Sequence, residues 1–136
     1  MPLCLDSSII VDITRNIEPV RSRFYAERLA GTHLTVNTII VFEMMFGAYG
    51  LPETARRRRT VDDFLNNHVS IVPFEAQDAD AAAQLQVQLA VRRTALGSND
   101  ALIAGQALNR GWTLVTSDGG FDRVPGLQLQ NWRESA

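Results

Sequence analysis

Short apolar runs alternate along this chain with longer stretches whose apolar positions recur every three or four residues. The runs at 2–5, 33–36, 69–74 and 112–116 predict strands, and the period-two pattern of "LQLQNW" (127–132) predicts a last short one. Between them the longer spacing predicts helices. The first covers 7–16, with Ile9, Ile10 and Ile13 as its buried stripe. The second covers 19–30, with Pro19 in its first turn and Gly31 at its end. A third spans 38–49, and a fourth, over 53–67, carries four consecutive arginines. The alanine- and glutamine-rich stretch 76–93 is a helix by propensity, and Gly97 breaks it. "DALIAGQALNR" (100–110) is another, closed by Gly111. "GFDRVPG" (120–126) reads as a loop.

Strands alternating with helices define an α/β chain with a mainly parallel sheet covered on both faces and right-handed crossovers. There is no internal repeat, low-complexity tract or linker, so residues 1–136 are expected to form a single domain. In open parallel sheets, functional groups gather beyond the C-terminal strand ends, near the switch in strand order. Asp6 closes the first apolar run and Asp118 follows the fourth, which makes them candidate neighbours.

Composition narrows the chemistry. The formal net charge is -2, so no global basic field advertises a polyanion partner. All 13 basic residues are arginine. The absence of lysine excludes P-loop and Schiff-base chemistry and argues against other folds that pair an aspartate after the first strand with a lysine. The lone cysteine, Cys4, lies within an apolar run and reads as a buried thiol. Asp6 interrupts any leader-like apolar segment, and no stretch nears the ~20 apolar residues of a membrane span. The expected location is the cytoplasm, with no membrane partner.

Two further acids occupy positions where apolar residues belong. Glu43 lies in "IIVFEMMFGA", and helical spacing puts Ile39, Ile40 and Gly47 on its face with Phe46 beside them. Asp100 shares a stripe with Ile103, Ala104 and Ala107. Each acid has an ordinary explanation: Glu43 on a solvated face, Asp6 as a helix cap, Asp100 in a first turn capped by Ser98 or Asn99, Asp118 in a Ser-Asp-Gly-Gly turn. Together they place four carboxylates at one end of the sheet with no cation near. Such a cluster raises its own pKa values, and hard divalent cations relieve it. An all-oxygen donor set favours Mg²⁺ or Mn²⁺ over zinc, and neither His33 nor His68 has ligand spacing. The chemistry such a site performs is metal-dependent phosphodiester hydrolysis.

"LDSSIIVDI", "TIIVFEMMFGA", "LGSNDALIAGQAL" and "TLVTSDGGFDRVPGLQLQNW", in that order, resemble the PIN domain and, more narrowly, the VapC-type ribonuclease toxins of VapBC toxin–antitoxin systems. The resemblance covers nearly the whole chain. It implies a three-layer α/β/α sandwich with a sheet of four to five strands. It implies a Mg²⁺-dependent endoribonuclease, with Mn²⁺ able to substitute. It carries the catalytic and metal-holding acids onto Asp6, Glu43, Asp100 and Asp118, and supporting polar residues onto Ser7, Ser8, Asn99 and Thr116. It also implies an RNA substrate, a homodimer and a VapB-type antitoxin that blocks the acidic groove. The chain departs at Met45, where many relatives carry arginine, and Asp122 rivals Asp118 as the fourth acid.

"RRRR" (56–59) covers a full helical turn, read as a solvated face paired with Asp62 and Asp63 or as a phosphate-contacting face. Arg92 and Arg93 are a smaller candidate RNA contact before Asp100. Met44, Met45, Phe42, Phe46 and Tyr49 cluster on one helix as core, with any exposed part available to a second copy or an antitoxin helix. Two rival functions stay open: a noncatalytic PIN-like binding module, and a metal-dependent phosphohydrolase acting on a substrate other than RNA.

Overall fold

The computed structural model describes residues 2–134. Its strands are β1 (Leu3–Leu5), β2 (Leu34–Asn37), β3 (Ser70–Val72), β4 (Thr113–Val115) and β5 (Gln128–Gln130). They form one sheet in the order β3-β2-β1-β4-β5, and every pairing is parallel. The helices are α1 (Ser7–Thr14), α2 (Val20–Leu29), α3 (Thr38–Tyr49), α4 (Thr54–Asn67), α5 (Ala76–Val91) and α6 (Ser98–Arg110). Right-handed crossovers put α1 to α4 on one face and α5 and α6 on the other, which makes the three-layer α/β/α sandwich.

Local chemistry sets the boundaries. Asp6 caps α1, its Oδ1 accepting the Ser7 N–H at 2.9 Å. Asn37 caps α3, its Oδ1 accepting the Ile40 N–H at 2.8 Å. Glu75 and Asp78 close a capping box on α5. Gly111 ends α6 at φ +69°, and the Trp112 N–H returns to the Ala107 carbonyl at 2.9 Å, a turn only a residue tolerant of positive φ closes cheaply. Several sequence expectations shift, and the helix expected over 7–16 ends at Thr14. Gly97, not Ser98 or Asn99, is the N-cap of α6. The helix expected over 76–93 ends at Val91. The segment Gly119–Arg123, expected as loop, winds into a 3₁₀ turn capped by Asp118.

The core is one cluster built from β1, β2 and β4 and the inward faces of the helices. Ile9, Ile10 and Ile13 lie in it as the stripe predicted. Cys4 is buried too, and burial together with the nearby Asp6 charge pushes its thiol up to about 12, which keeps it protonated and inert. Among the described residues, no helix is long and apolar enough to cross a membrane.

Register then places the functional end. Leu5 pairs with Val115 across β1 and β4, and the Asp6 N–H continues the ladder to the Val115 carbonyl at 2.9 Å. Asp6 and Thr116 therefore leave the sheet side by side. The chain moves outward from β1 through β2 to β3 and then crosses back to β4, so these two residues sit at the switch in strand order.

Candidate active site

Four elements deliver the acids. β1 ends in Asp6, β4 runs through Thr116 to Asp118, Glu43 lies in the second turn of α3, and Asp100 lies in the first turn of α6. The Thr116 hydroxyl donates to Asp6 Oδ2 at 2.7 Å, and the Asp118 N–H donates to Thr116 Oγ1 at 3.0 Å. Ser117 Oγ lies 3.1 Å from Ser8 Oγ, a second bond between the loop after β4 and α1. Asp118 Oδ1 accepts the Gly120 N–H at 2.8 Å, so the turn that follows holds this carboxylate.

Burial first, and then one another's charges, shift the acids. Burial raises Asp6, its Thr116 and Ser7 donors oppose the rise, and the Asp118 charge adds to it. Burial raises Glu43, and the Asp6 and Asp100 charges push the same way against the Asn99 and Ser7 side chains. Asp100 is raised to about 6 by burial and by the Asp6 and Asp118 charges, and it lies within hydrogen-bonding reach of Asp118. Asp6, Glu43, Asp100 and Asp118 thus form one interacting group. Asp122 appears in none of these couplings, although it shares a surface cleft with Asp118.

The donor set fits a hard divalent cation in kind and in charge. Every side chain offered is a carboxylate or hydroxyl, the acids share excess negative charge, and Glu43 Oε1 is buried without a hydrogen-bond partner. Among the described residues, however, no three His, Cys, Asp or Glu side chains are already drawn together to hold an ion. Asp6 has both oxygens engaged by donors, Oδ1 by the Ser7 N–H and Oδ2 by the Thr116 hydroxyl.

The supporting residues divide by location. Ser7 and Asn99 face Glu43, Ser8 bonds Ser117, and Thr116 joins Asp6 to Asp118. Arg92 and Arg93 lie exposed at the end of α5 and touch none of the acids. Met45 packs against the core. Phe46, expected beside Glu43 on a buried stripe, is 71% exposed, because α3 is apolar nearly all round and only Ile40, Met44 and Ala48 face fully inward.

Sequence reasoning passed over Ser117, although "VTSDGG" places it between two residues it did single out. It also missed the clasp ahead of α6. The Leu96 N–H donates to Gln86 Oε1 at 3.1 Å, and Gln86 Nε2 donates back to the Leu96 carbonyl, fixing the turn that presents Asn99 and Asp100. A glutamine in a glutamine-rich helix carries no local signal of such a role.

Residues 3–127 match the PIN domain model, and the chain belongs to that family. It is 28% identical over 127 residues, 93% of either chain, to the tRNA(fMet)-specific endonuclease VapC of Salmonella typhimurium. It is 29% identical over 100 residues, 73% of this chain and 74% of the relative, to ribonuclease VapC2 of Rickettsia felis. Among solved structures it resembles VapBC2 from Rickettsia felis bound to a promoter DNA fragment, with a TM-score of 0.89 at 25% identity over 97% of this chain and 99% of that one. DNA-bound VapBC from Salmonella typhimurium gives a TM-score of 0.87 at 27% identity over 97% and 98%.

Proposed function

We propose that the protein is a Mg²⁺-dependent endoribonuclease of the VapC type, with RNA as substrate and an antitoxin as inhibitor. One observation carries this reading. Four carboxylates from β1, α3, α6 and the β4 loop face one another across the switch in strand order, where burial and then the Asp6 and Asp118 charges raise Asp100 to about 6. No structural role for that repulsion is apparent. The names of those four relatives, two VapC nucleases and two VapBC complexes, support the substrate class and the partner.

Asp6, Glu43, Asp100 and Asp118 would hold Mg²⁺, which supplies Lewis acidity and charge neutralisation at the scissile phosphate when bound, with Mn²⁺ able to replace it. Thr116 holds the Asp6 carboxylate in one orientation. The Glu43 carboxylate, with Oε1 free of donors and its proton affinity raised by burial, is the group able to take a proton from the attacking water. Water adds to phosphorus as the bond to the leaving oxygen breaks, and that oxygen departs as an alcohol by taking a proton from solvent. Asn99 and Ser7 keep Glu43 turned toward the site.

An antitoxin and a second copy of the chain are the two proposed protein partners. Phe42, Phe46 and Tyr49 stand 56%, 71% and 57% exposed along α3, an apolar face that suits a covering surface.

The test is cleavage of a panel of structured RNAs by purified, antitoxin-free protein with Mg²⁺, Mn²⁺ or EDTA, beside Asp100→Asn. Metal-dependent cutting at discrete sites, lost in the variant, is the expected result. Absence of cutting by folded protein with either metal, on RNA, DNA and small phosphodiesters alike, would favour a noncatalytic binding module. Cutting confined to DNA or small phosphodiesters would favour another phosphohydrolase.

A further inference from the structure

A groove of about 250 Å³ runs between α1, α3 and α4 and ends at the acidic centre, because Ser7 and Glu43 belong to its wall. Val11, Met44, Leu51 and Val61 make much of the remaining surface apolar. Gly47 leaves an opening in it, since a Cβ there would meet nothing within 4 Å.

Two arginines also line this groove, Arg15 from the end of α1 and Arg57 from α4. Their situation differs from that of Arg56 and Arg58 on either side of Arg57, whereas Arg59 lies outside the groove. Arg56 pairs with Glu53, and Arg58 pairs with Asp62 at 2.9 Å while donating to the Tyr49 hydroxyl. Arg57 has no carboxylate partner among the described residues. Its Nε donates to the Pro52 carbonyl at 2.9 Å, which tethers the guanidinium beside the groove without neutralising it. Arg15 has neither an ion pair nor a side-chain hydrogen bond among the described residues.

A ligand for this surface needs negative charge at the two arginines, flat apolar faces for the wall and a reactive group at the carboxylate end. A single RNA strand meets all three requirements. Its phosphates suit guanidinium forks, its unstacked bases can lay their apolar faces on the aliphatic wall by burying surface, and its backbone delivers a phosphodiester to Glu43. A duplex buries those base faces within its own stack. Resting on the nuclease reading above, we infer that the α1/α3/α4 groove is the entry track for single-stranded RNA, with Arg15 and Arg57 holding its phosphates. The two unneutralised charges favour this polyanion over a peptide occupant.

The experiment measures binding of an unstructured, fluorescently labelled oligoribonucleotide with Mg²⁺ across a salt series, in the cleavage-blocked Asp100→Asn protein. Adding Arg15→Ala or Arg57→Ala is expected to weaken binding several-fold and reduce the log–log salt slope by about 0.7 each. Arg59→Ala, on the same helix but outside the groove, is expected to leave the slope unchanged. Gly47→Leu, which places a side chain in the opening, is expected to block the strand without lowering the melting temperature. Slopes for Arg15→Ala and Arg57→Ala equal to that of Arg59→Ala would overturn the track, as would undiminished binding in Gly47→Leu or equal competition by an RNA duplex. Metal-dependent cutting by the parent protein alongside any of those results would leave the nuclease reading standing. A parent protein that neither binds nor cuts RNA with any metal would remove both.

Discussion

Thr116 and Asp6, 110 residues apart in sequence, share a 2.7 Å hydrogen bond at the junction of β1 and β4. The same hydroxyl oxygen accepts the Asp118 N–H at 3.0 Å, so one small side chain fixes two of the four acids. Thr116→Val keeps the shape and removes the hydroxyl. It is expected to lower RNA cleavage by about 10–100-fold, as loss of a partner that orients a metal-holding group does. Stability should fall by about 1–3 kcal/mol, because Asp6 loses a buried donor. Thr116→Ser should restore most of both. Comparing cleavage rates and melting curves of the three proteins checks the assignment, and full activity in Thr116→Val would refute it.

The acids make stability depend on pH in a direction that can be stated. Folded Asp100 keeps its proton up to about pH 6, whereas its ordinary value is 3.8. Between those limits the folded state binds more protons than the unfolded one, so stability falls as pH rises through the window. Glu43 and Asp6 are raised as well and act in the same sense. Without added metal, the melting temperature is therefore expected to be higher near pH 5 than near pH 7. Asp100→Asn should flatten this dependence and stabilise the protein at neutral pH. Mg²⁺ should raise the melting temperature of the parent at pH 7 but not that of the variant. Differential scanning fluorimetry across pH, with EDTA or Mg²⁺, reads all three.

The acids that reach the site were legible because each breaks a local rule: Asp6 and Asp118 end or follow apolar runs, and Glu43 and Asp100 interrupt apolar stripes. Strand and helix order was legible for the same reason, since periodicity is a local signal. Features set by distant contacts were not. Asp12 was not singled out in the sequence, yet this carboxylate is 5% exposed, because Arg133 returns from the C-terminal segment to pair with it at 2.7 Å. The arginine run showed the same limit. Arg58–Asp62 follows the expected i,i+4 spacing, but Asp63 instead accepts from Asn67, and only the packing of α4 against α1 and α3 turns Arg57 toward the groove.

Asp78 is the clearest such case, a fully buried carboxylate inside an alanine- and glutamine-rich helix. Burial alone would raise it. Arg110 at 2.9 Å, with Asn109, Gln106 and the Glu75 N–H, outweighs burial and holds it well below the usual carboxylate range. Its contribution is present above the ordinary carboxylate value and is lost as pH falls further into acid, below the Asp100 window. Arg110 and Gln106 also reach the Pro73 carbonyl, so the network joins α5, α6 and the end of β3. Asp78→Ala is expected to cost about 3–5 kcal/mol, since it leaves a partly buried guanidinium without its partner. Urea unfolding measures this, and a loss under about 1 kcal/mol, the scale of an ordinary exposed ion pair, would place the weight of the α5–α6 junction elsewhere.

That junction has a second constraint, which is steric. Gly105 on α6 lies so close to α5 that an added Cβ would stand 2.4 Å from the Ala82 Cα and 2.5 Å from its Cβ. Both neighbours are backbone or the first side-chain atom, so neither can swing aside and the helices must separate. In an exposed helix, Gly→Ala is stabilising by about 0.5–1 kcal/mol. Here overpacking reverses the sign, and Gly105→Ala is expected to destabilise by about 1–3 kcal/mol. The effect should also reach the site, because Asp100 rides on the first turn of α6. A displaced α6 moves Asn99 away from Glu43 and Asp100 away from Asp118, so cleavage per folded molecule should fall as well. Adding Ala82→Gly to Gly105→Ala removes one methyl from the collision but leaves the α5 backbone in the path of the other, so it should restore only part of the loss. A double-mutant cycle read by urea unfolding and by cleavage rate tests this. Independent, additive effects of the two substitutions would show that the close approach of α5 and α6 does not position Asp100.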